Sequence, residues 1–281
     1  MTSYIIRRLL VAIPTLLVVL TIVFLLVRVA PGDPATAVLG QQASKQAIEN
    51  LRTKMGLDVP LWKQYFNYLT GLVRGDLGKS LISRKPVAGQ GAYALSFTIE
   101  LTVTGVLFGS LLGIPLGILT AIRRNTLFDY LGRVSSLAGL SIPAFYLGIL
   151  LMMLFSIQLN WLPTVGGGAQ SNPADLIYHL ILPGLTLGLI MTAYVTRMTR
   201  SSILNILRQD YVSTARSKGL RERTVVYKHI LKNALVPILS VLGVYSIVLI
   251  GSSVMTEIGF SRPGLGKLMI CSMDIESDLD R

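Results

Sequence analysis

The chain has 281 residues, 52% hydrophobic and 14% charged, where an ordinary soluble domain carries about 25% charged residues. Its 26 Lys and Arg outnumber 14 Asp and Glu, for a net charge of +12. An apolar yet basic chain is neither a disordered basic tail, which lacks Leu, Ile and Val, nor a nucleic-acid binder, which carries more polar surface. Cys271 is the single cysteine, so an intrachain disulfide and a multi-Cys zinc site are excluded, and two histidines make a His-rich metal centre improbable. The composition points to the membrane.

Crossing a ~30 Å hydrocarbon core takes about 20 apolar helical residues, with every backbone polar group paired inside the helix. The first such run is Leu9 to Val27, behind Arg7 and Arg8. It is too long for a signal-peptide core and Arg28 to Asp33 is a poor cleavage site, so residues 1–30 read as a retained span. Residues 31–96 follow as a long loop with helices of its own. Ile48, Leu51 and Met55 recur at helical spacing up to Gly56; Pro60 opens a second set, Leu61, Tyr65, Leu69 and Leu72, up to Gly75. Both are amphipathic, suited to packing on the outer ends of a bundle or to docking an external partner. Gly71 to Ser80 ends like a phosphate-binding loop but has Val73 where that motif needs glycine.

Four more runs follow: Leu101 to Ile122, Val134 to Leu159, Leu176 to Val195 and Leu235 to Met255. The first carries Gly105, Gly109, Gly113 and Gly117 at intervals of four, a groove where another helix backbone approaches closely. This stripe reads as tight bundle packing, with sliding of glycine faces during a conformational cycle as the alternative; Pro115 within it is expected to kink the helix. Gly184 and Gly188 repeat the pattern after Pro183. Glu100 is expected in the first turn of its helix, where a carboxylate favours the positive end of the dipole, and His179 as an interfacial anchor. No Ser-His-Asp arrangement, metal-ligand spacing or convergent acidic pair appears in these runs. The expectation is a non-enzyme with no catalytic, cofactor-binding or metal-binding residue. The fold class is all-α, a polytopic bundle of five membrane helices.

Charge sets the orientation. The segment before the first span, the loop around Arg123, Arg124 and Arg133, and the stretch Arg197 to Lys232 carry +2, +2 and +7, while Asn160 to Asp175 has no Lys or Arg. By the positive-inside rule these basic segments and the N-terminus are cytoplasmic, and residues 31–96 are extracytoplasmic, since so long a loop crosses largely regardless of its charge. The richest stretch is Arg208 to Pro237. Asp210 can cap a short helix that Gly219 ends, a second helix starts near Arg221, and Ser213, Thr214 and Ala215 leave a low face where another protein can sit.

That stretch resembles the cytoplasmic EAA loop of binding-protein-dependent ABC importer permeases of the dipeptide, oligopeptide and nickel group. So do Tyr4 to Arg8, Ala30 to Pro34, Gly56 to Leu61, Gly75 to Gly78, Ser141 to Phe145, His179 to Pro183, and Glu257 with Pro263 to Gly266. The resemblance implies a permease in a bacterial inner membrane, moving peptides, nickel or similar small solutes. It implies two ATP-binding subunits, a second homologous permease subunit, an extracytoplasmic solute-binding protein and surrounding lipid as partners, and no nucleic acid. Carried over by residue, Asp210, Ser213, Thr214, Ala215, Gly219 and Pro237 belong to the ATPase-coupling loop, within a cytoplasmic segment 197–234 of the permease core 97–268. Ser213 stands where the motif's name has Glu. Family members have a sixth span; residues 269–281 are a polar tail with none, so a truncated permease is expected, and a self-contained channel or secondary carrier is the rival reading.

Overall fold

The computed structural model describes residues 2–29, 34–40, 43–80, 85–169 and 171–270, so the motif at residues 30–33 and the tail from residue 271 lie outside the described residues. No strand occurs among them; an isolated bridge joins Lys79 and Pro86. The chain divides into two compact units, one reaching Gln90 and one from Gly91 to Ile270.

In the first unit, α1 (Thr2–Val29) is followed by α2 (Pro34–Leu39), α3 (Lys45–Lys54) and α4 (Leu61–Val73). The two amphipathic segments expected from the sequence are α3 and α4. Ser44 caps α3 by accepting from the Ala47 N–H, and Gly56 and Gly75 take the positive φ (65° and 76°) that ends each helix. Phe24 of α1 packs on Tyr65 and Tyr68 of α4, and the Thr21 and Tyr65 hydroxyls hydrogen-bond at 2.6 Å. Elsewhere α1 presents exposed Leu, Ile and Val all round, the pattern of a helix meant for lipid.

The second unit contains α5 (Val87–Ile122, entered from the first unit), α6 (Leu127–Ser141), α7 (Ala144–Met152) with a π-helical turn at Met153–Gln158, α8 (Pro173–Ile206), α9 (Asp210–Ser217), α10 (Glu222–Thr224), a second π-helical turn at Val225–Ile230, and α11 (Leu231–Gly259). Among the described residues, four helices are each long and apolar enough to cross a membrane: residues 3–26, α5, α8, and residues 222–259. The third predicted span, Val134 to Leu159, falls on a bent pair, α6 and α7 turning by 102° at residues 142–143, which makes a fifth span if the pair is taken as one. Pro143 explains the break: it has no N–H to give, and it pushes Ile142 into extended backbone (φ −85°, ψ 123°). By contrast α5 continues through Pro115, and α8 and α11 through Pro183 and Pro237, each as one helix.

The α5–α8 seam organises the core. Gly105, Gly109, Gly113 and Gly117 are all buried and meet Leu187, Met191, Val195 and Thr199, a matching row of every fourth residue on α8. A Cβ at Gly113 would lie 2.7 Å from the Val195 Cβ, and one at Gly109 would collide with the Met191 side chain. Gly184 and Gly188 of α8 receive Thr104 and Phe108 in return. The seam is therefore reciprocal, each helix giving up side chains where the other keeps them.

Candidate functional site

The stretch after α8 is ordered by its own small core. Val212 and Ala215 of α9 are buried with Val225, Val226, Ile230 and Ala234, and Tyr211 accepts a 2.8 Å hydrogen bond from Asn233 of α11. Gly219 has φ +76°, which only glycine adopts without strain, and the chain reverses there into α10. Arg216 grips Glu222 with two bonds, 3.1 and 2.6 Å, across that reversal. This pairing holds the Glu222 carboxyl below its ordinary value and raises Arg216. The π-helical turn that follows opens the ladder by one residue and leads into α11, where Pro237 lies inside the helix.

Two expectations for this loop change. Asp210 is the first residue of α9 rather than its cap; Gln209 holds the cap position, and Asp210 instead places its charge in the first turn, at the positive end of the dipole. Ser213, Thr214 and Ala215 do not share a face. Consecutive helical residues point about 100° apart, so Ala215 turns inward with Val212 while Ser213 and Thr214 stay exposed. Ser213, Thr214 and Gly219 are all exposed.

At the far end of α5 lies a buried polar knot that sequence reasoning missed. Glu257, near the end of α11, is fully buried and accepts from the Thr98 hydroxyl (2.6 Å), the Ser253 hydroxyl (3.3 Å) and the Gly266 N–H (2.8 Å). Thr98 accepts in turn from the Leu265 N–H at 3.0 Å. The turn after α11 closes as the Arg262 N–H donates to the Glu257 carbonyl. The glycines of Pro263-Gly-Leu-Gly266 are small for a reason: a Cβ at Gly264 would overlap the Glu257 carboxylate, and one at Gly266 would lie 2.5 Å from the Val254 Cα.

Arg262 is also fully buried. Its Nη2 donates to Glu100 at 2.9 Å and its guanidinium lies 5.0 Å from the centre of the Phe97 ring, while Nε and Nη1 have no hydrogen-bond partner among the described residues. Glu100 is therefore not in a first helical turn. Because α5 begins at Val87, Glu100 sits more than three turns in, and what it pairs with is a side chain, not the helix dipole. The signal available was an Arg five residues beyond a Glu at the end of an apolar run. His179 keeps within its own helix, its Nδ1 2.9 Å from the Asp175 carbonyl and its ring edge-on to Tyr178.

The opposite end is tied by Asp129 of α6. Its carboxylate is fully buried, accepts from the Asn125 N–H at 3.0 Å and receives both Nε and Nη2 of Arg200 on α8, at 2.6 and 2.9 Å. In the sequence this residue had counted only as one negative charge in a basic loop. Among the described residues no group of three or more His, Cys, Asp or Glu could hold a metal ion.

Residues 113–275 match the family model described as binding-protein-dependent transport system inner membrane component, and residues 1–110 match its N-terminal companion. Among curated proteins, the chain is 44% identical over 275 residues to the glutathione transport system permease protein GsiC of Pectobacterium atrosepticum, covering 98% of this chain and 88% of that one. The GsiC of Escherichia coli strain K12 is 43% identical with the same coverage. Among solved structures, an inward-facing MetNI methionine ABC transporter aligns with a TM-score of 0.52 over 67% of this chain and 85% of its own, at 19% identity, a likeness of fold. Family membership brings ATPase subunits and a binding protein as partners, and with the apolar helices it makes the chain a multi-pass inner-membrane protein. The chain belongs to the binding-protein-dependent transport family and is the permease subunit of an ABC importer of the peptide type, not an enzyme.

Proposed function

We propose that this chain imports a short peptide of the glutathione kind, as one of two homologous permease subunits driven by two ATPases and fed by an extracytoplasmic binding protein. The observation that carries the solute class is the 44% identity over 98% of the chain to proteins named as glutathione permeases. The N-terminus and the loop 197–234 lie in the cytoplasm, where the Lys and Arg excess favours them. Residues 31–96 and the Glu257 knot then lie on the binding-protein side, and 97–268 forms the transporting core.

Within this scheme α9 is the element that enters a groove on an ATPase. Ser213, Thr214 and the Gly219 backbone meet the partner; Ala215, Val212 and the Arg216–Glu222 pair keep α9 rigid against α11, so that movement of the ATPase passes into α11 as a push rather than being absorbed by the loop. Asp210 and Pro237 bound the element at either end.

The test is uptake by proteoliposomes holding the full complex, with labelled glutathione, a dipeptide and nickel offered in turn. ATP-dependent accumulation of glutathione, saturable and lost without the binding protein, is the expected result. Accumulation without ATPase subunits would make the chain a self-contained carrier and overturn the scheme. Accumulation of only the dipeptide or nickel would overturn the solute while leaving the scheme intact.

A further inference from the structure

A cavity of about 320 Å³ lies between α6 and α8, at the end of the second unit tied by Asp129. Arg133, Arg197 and Arg200 line it, with Thr120, Ser136 and Leu137 among the other walls. Asp129 neutralises one charge, gripping Arg200 at 2.6 Å and lying 3.7 Å from the Arg133 Nε, so the site keeps a net charge of about two positive units. The hydroxyls of Thr120, Ser136 and Thr196 donate to the carbonyls of Gly117, Gly132 and Gly113, so these three are spent within the helices, while the arginines supply the charged donors of the lining. Arg197 is exposed and forms no ion pair among the described residues.

We infer that this cavity holds the phosphate of an anionic membrane phospholipid. Guanidinium forks suit phosphate oxygens, and basic pockets between membrane helices select acidic headgroups. The geometry favours a lipid over a free anion because the rim is amphipathic. Arg133 and Leu137 sit one turn apart on the exposed side of α6, continuous with exposed Tyr130, Leu131 and Val134, a surface along which acyl chains can lie while the phosphate reaches the arginines. The bound lipid would bridge α6 and α8 beside the Asp129–Arg200 pair, fixing the first arm of the bent α6–α7 pair against the helix that leads into α9. This inference needs the membrane placement of α6 and α8 but not the identity of the solute.

The experiment is native mass spectrometry of the intact transporter complex in detergent, offered phosphatidylglycerol and phosphatidylcholine in equal amounts. The parent should retain phosphatidylglycerol over phosphatidylcholine by roughly twenty-fivefold, given about fivefold for each of the two uncompensated arginines. The double variant Arg133→Gln/Arg197→Gln should bring that ratio close to one; Arg200 is left alone because it holds the buried Asp129. Leu137→Glu, which keeps every arginine but sets a carboxylate on the rim, should lower the ratio independently. An unchanged ratio in both variants overturns the site. Displacement of phosphatidylglycerol by excess inorganic phosphate, with equal retention of the two lipids afterwards, overturns the lipid and leaves a free-anion pocket.

Discussion

The two ends of the second unit hold their charges in different ways. At the Glu257 end, a carboxylate and a guanidinium are both fully buried, tied to Thr98, Ser253, Gly266 and Glu100. In the α9–α10 reversal, Arg216 and Glu222 make a bidentate pair, where Arg262 gives Glu100 a single bond, yet both loop side chains are about half exposed. Geometry alone favours the loop pair; burial reverses the order. A half-exposed pair can be replaced by water at either partner, whereas a buried charge that loses its partner has nothing to turn to. The knot should therefore govern whether the unit holds together, and the loop pair how firmly α9 is presented.

Cutting the knot gives the largest effect. Glu100→Ala leaves Arg262, already short of partners at Nε and Nη1, without its hydrogen-bonded counter-charge, and should cost about 3–5 kcal/mol. Thermal unfolding of the purified complex measures it. Replacing both members, Glu100→Ala with Arg262→Met, removes the stranded charge and should recover most of the loss; a double variant as unstable as the single one would mean that packing on Phe97, not charge, sets the cost. The next effect is steric. Gly109→Leu drives a side chain into Met191 and should cost about 1–3 kcal/mol with loss of assembly, while Gly243→Ala, where a Cβ meets nothing within 4 Å, should leave the unfolding midpoint within measurement error.

These sites differ in how visible they are in the sequence. Helix positions follow from apolar runs of the right length, and the glycine row follows from its spacing of four, because both properties are local to one helix. The partner row on α8, Leu187 to Thr199, mixes large and small residues and shows nothing until α5 is laid against it. The bend at Pro143 was readable from Pro in an apolar run, yet Pro115, Pro183 and Pro237 carry the same signal and the helix continues. What separates them is the extended backbone at Ile142. Glu257 and Thr98 are 159 residues apart, and Asp129 and Arg200 are 71 apart; pairings at such separations exist only once the helices pack. The loop shows the opposite limit, for residue type identified α9 but only the register of its buried face could tell Ala215 from Ser213 and Thr214.

Gly219 tests the loop at intermediate strength. Its φ of +76° lies where an L side chain is strained, so Gly219→Val should cost about 1–2 kcal/mol locally. Gly219→Pro, whose ring fixes φ near −65°, should disorder the reversal altogether. Neither residue touches the seam or the knot, and a Cβ at Gly219 meets no neighbouring atom, so membrane insertion and the unfolding midpoint of the helical unit should barely move. Co-purification of the ATPase subunits should fall sharply. Retention of ATPases at the parental ratio in Gly219→Pro would remove α9 from the coupling scheme. Ala215→Trp is a poorer probe, because Ala215 is buried and the substitution damages the loop core before it reaches a partner.

The smallest expected effect belongs to the exposed pair. Arg216 holds the Glu222 carboxyl below its ordinary value, so ionised Glu222 favours the folded loop. A carboxylate with a lowered value contributes fully above its unfolded-state value, and the contribution fades as the pH falls through the lowered one. At neutral pH the pair is therefore intact, and acidification through and below the ordinary carboxylate range should loosen α9 while the buried helices stay folded. Half exposure limits the stake to about 0.2–1 kcal/mol. Amide hydrogen exchange across residues 210–224 reads it directly, with exchange in α9 rising a few-fold for Glu222→Gln at neutral pH and the difference from the parent closing on acidification. Added salt should narrow the same gap, because exposed charges are screened over about 10 Å at 0.1 M. A Glu222→Gln loss that persists at high salt and low pH would mean that the pair acts through shape rather than charge, and would place it with the knot instead of against it.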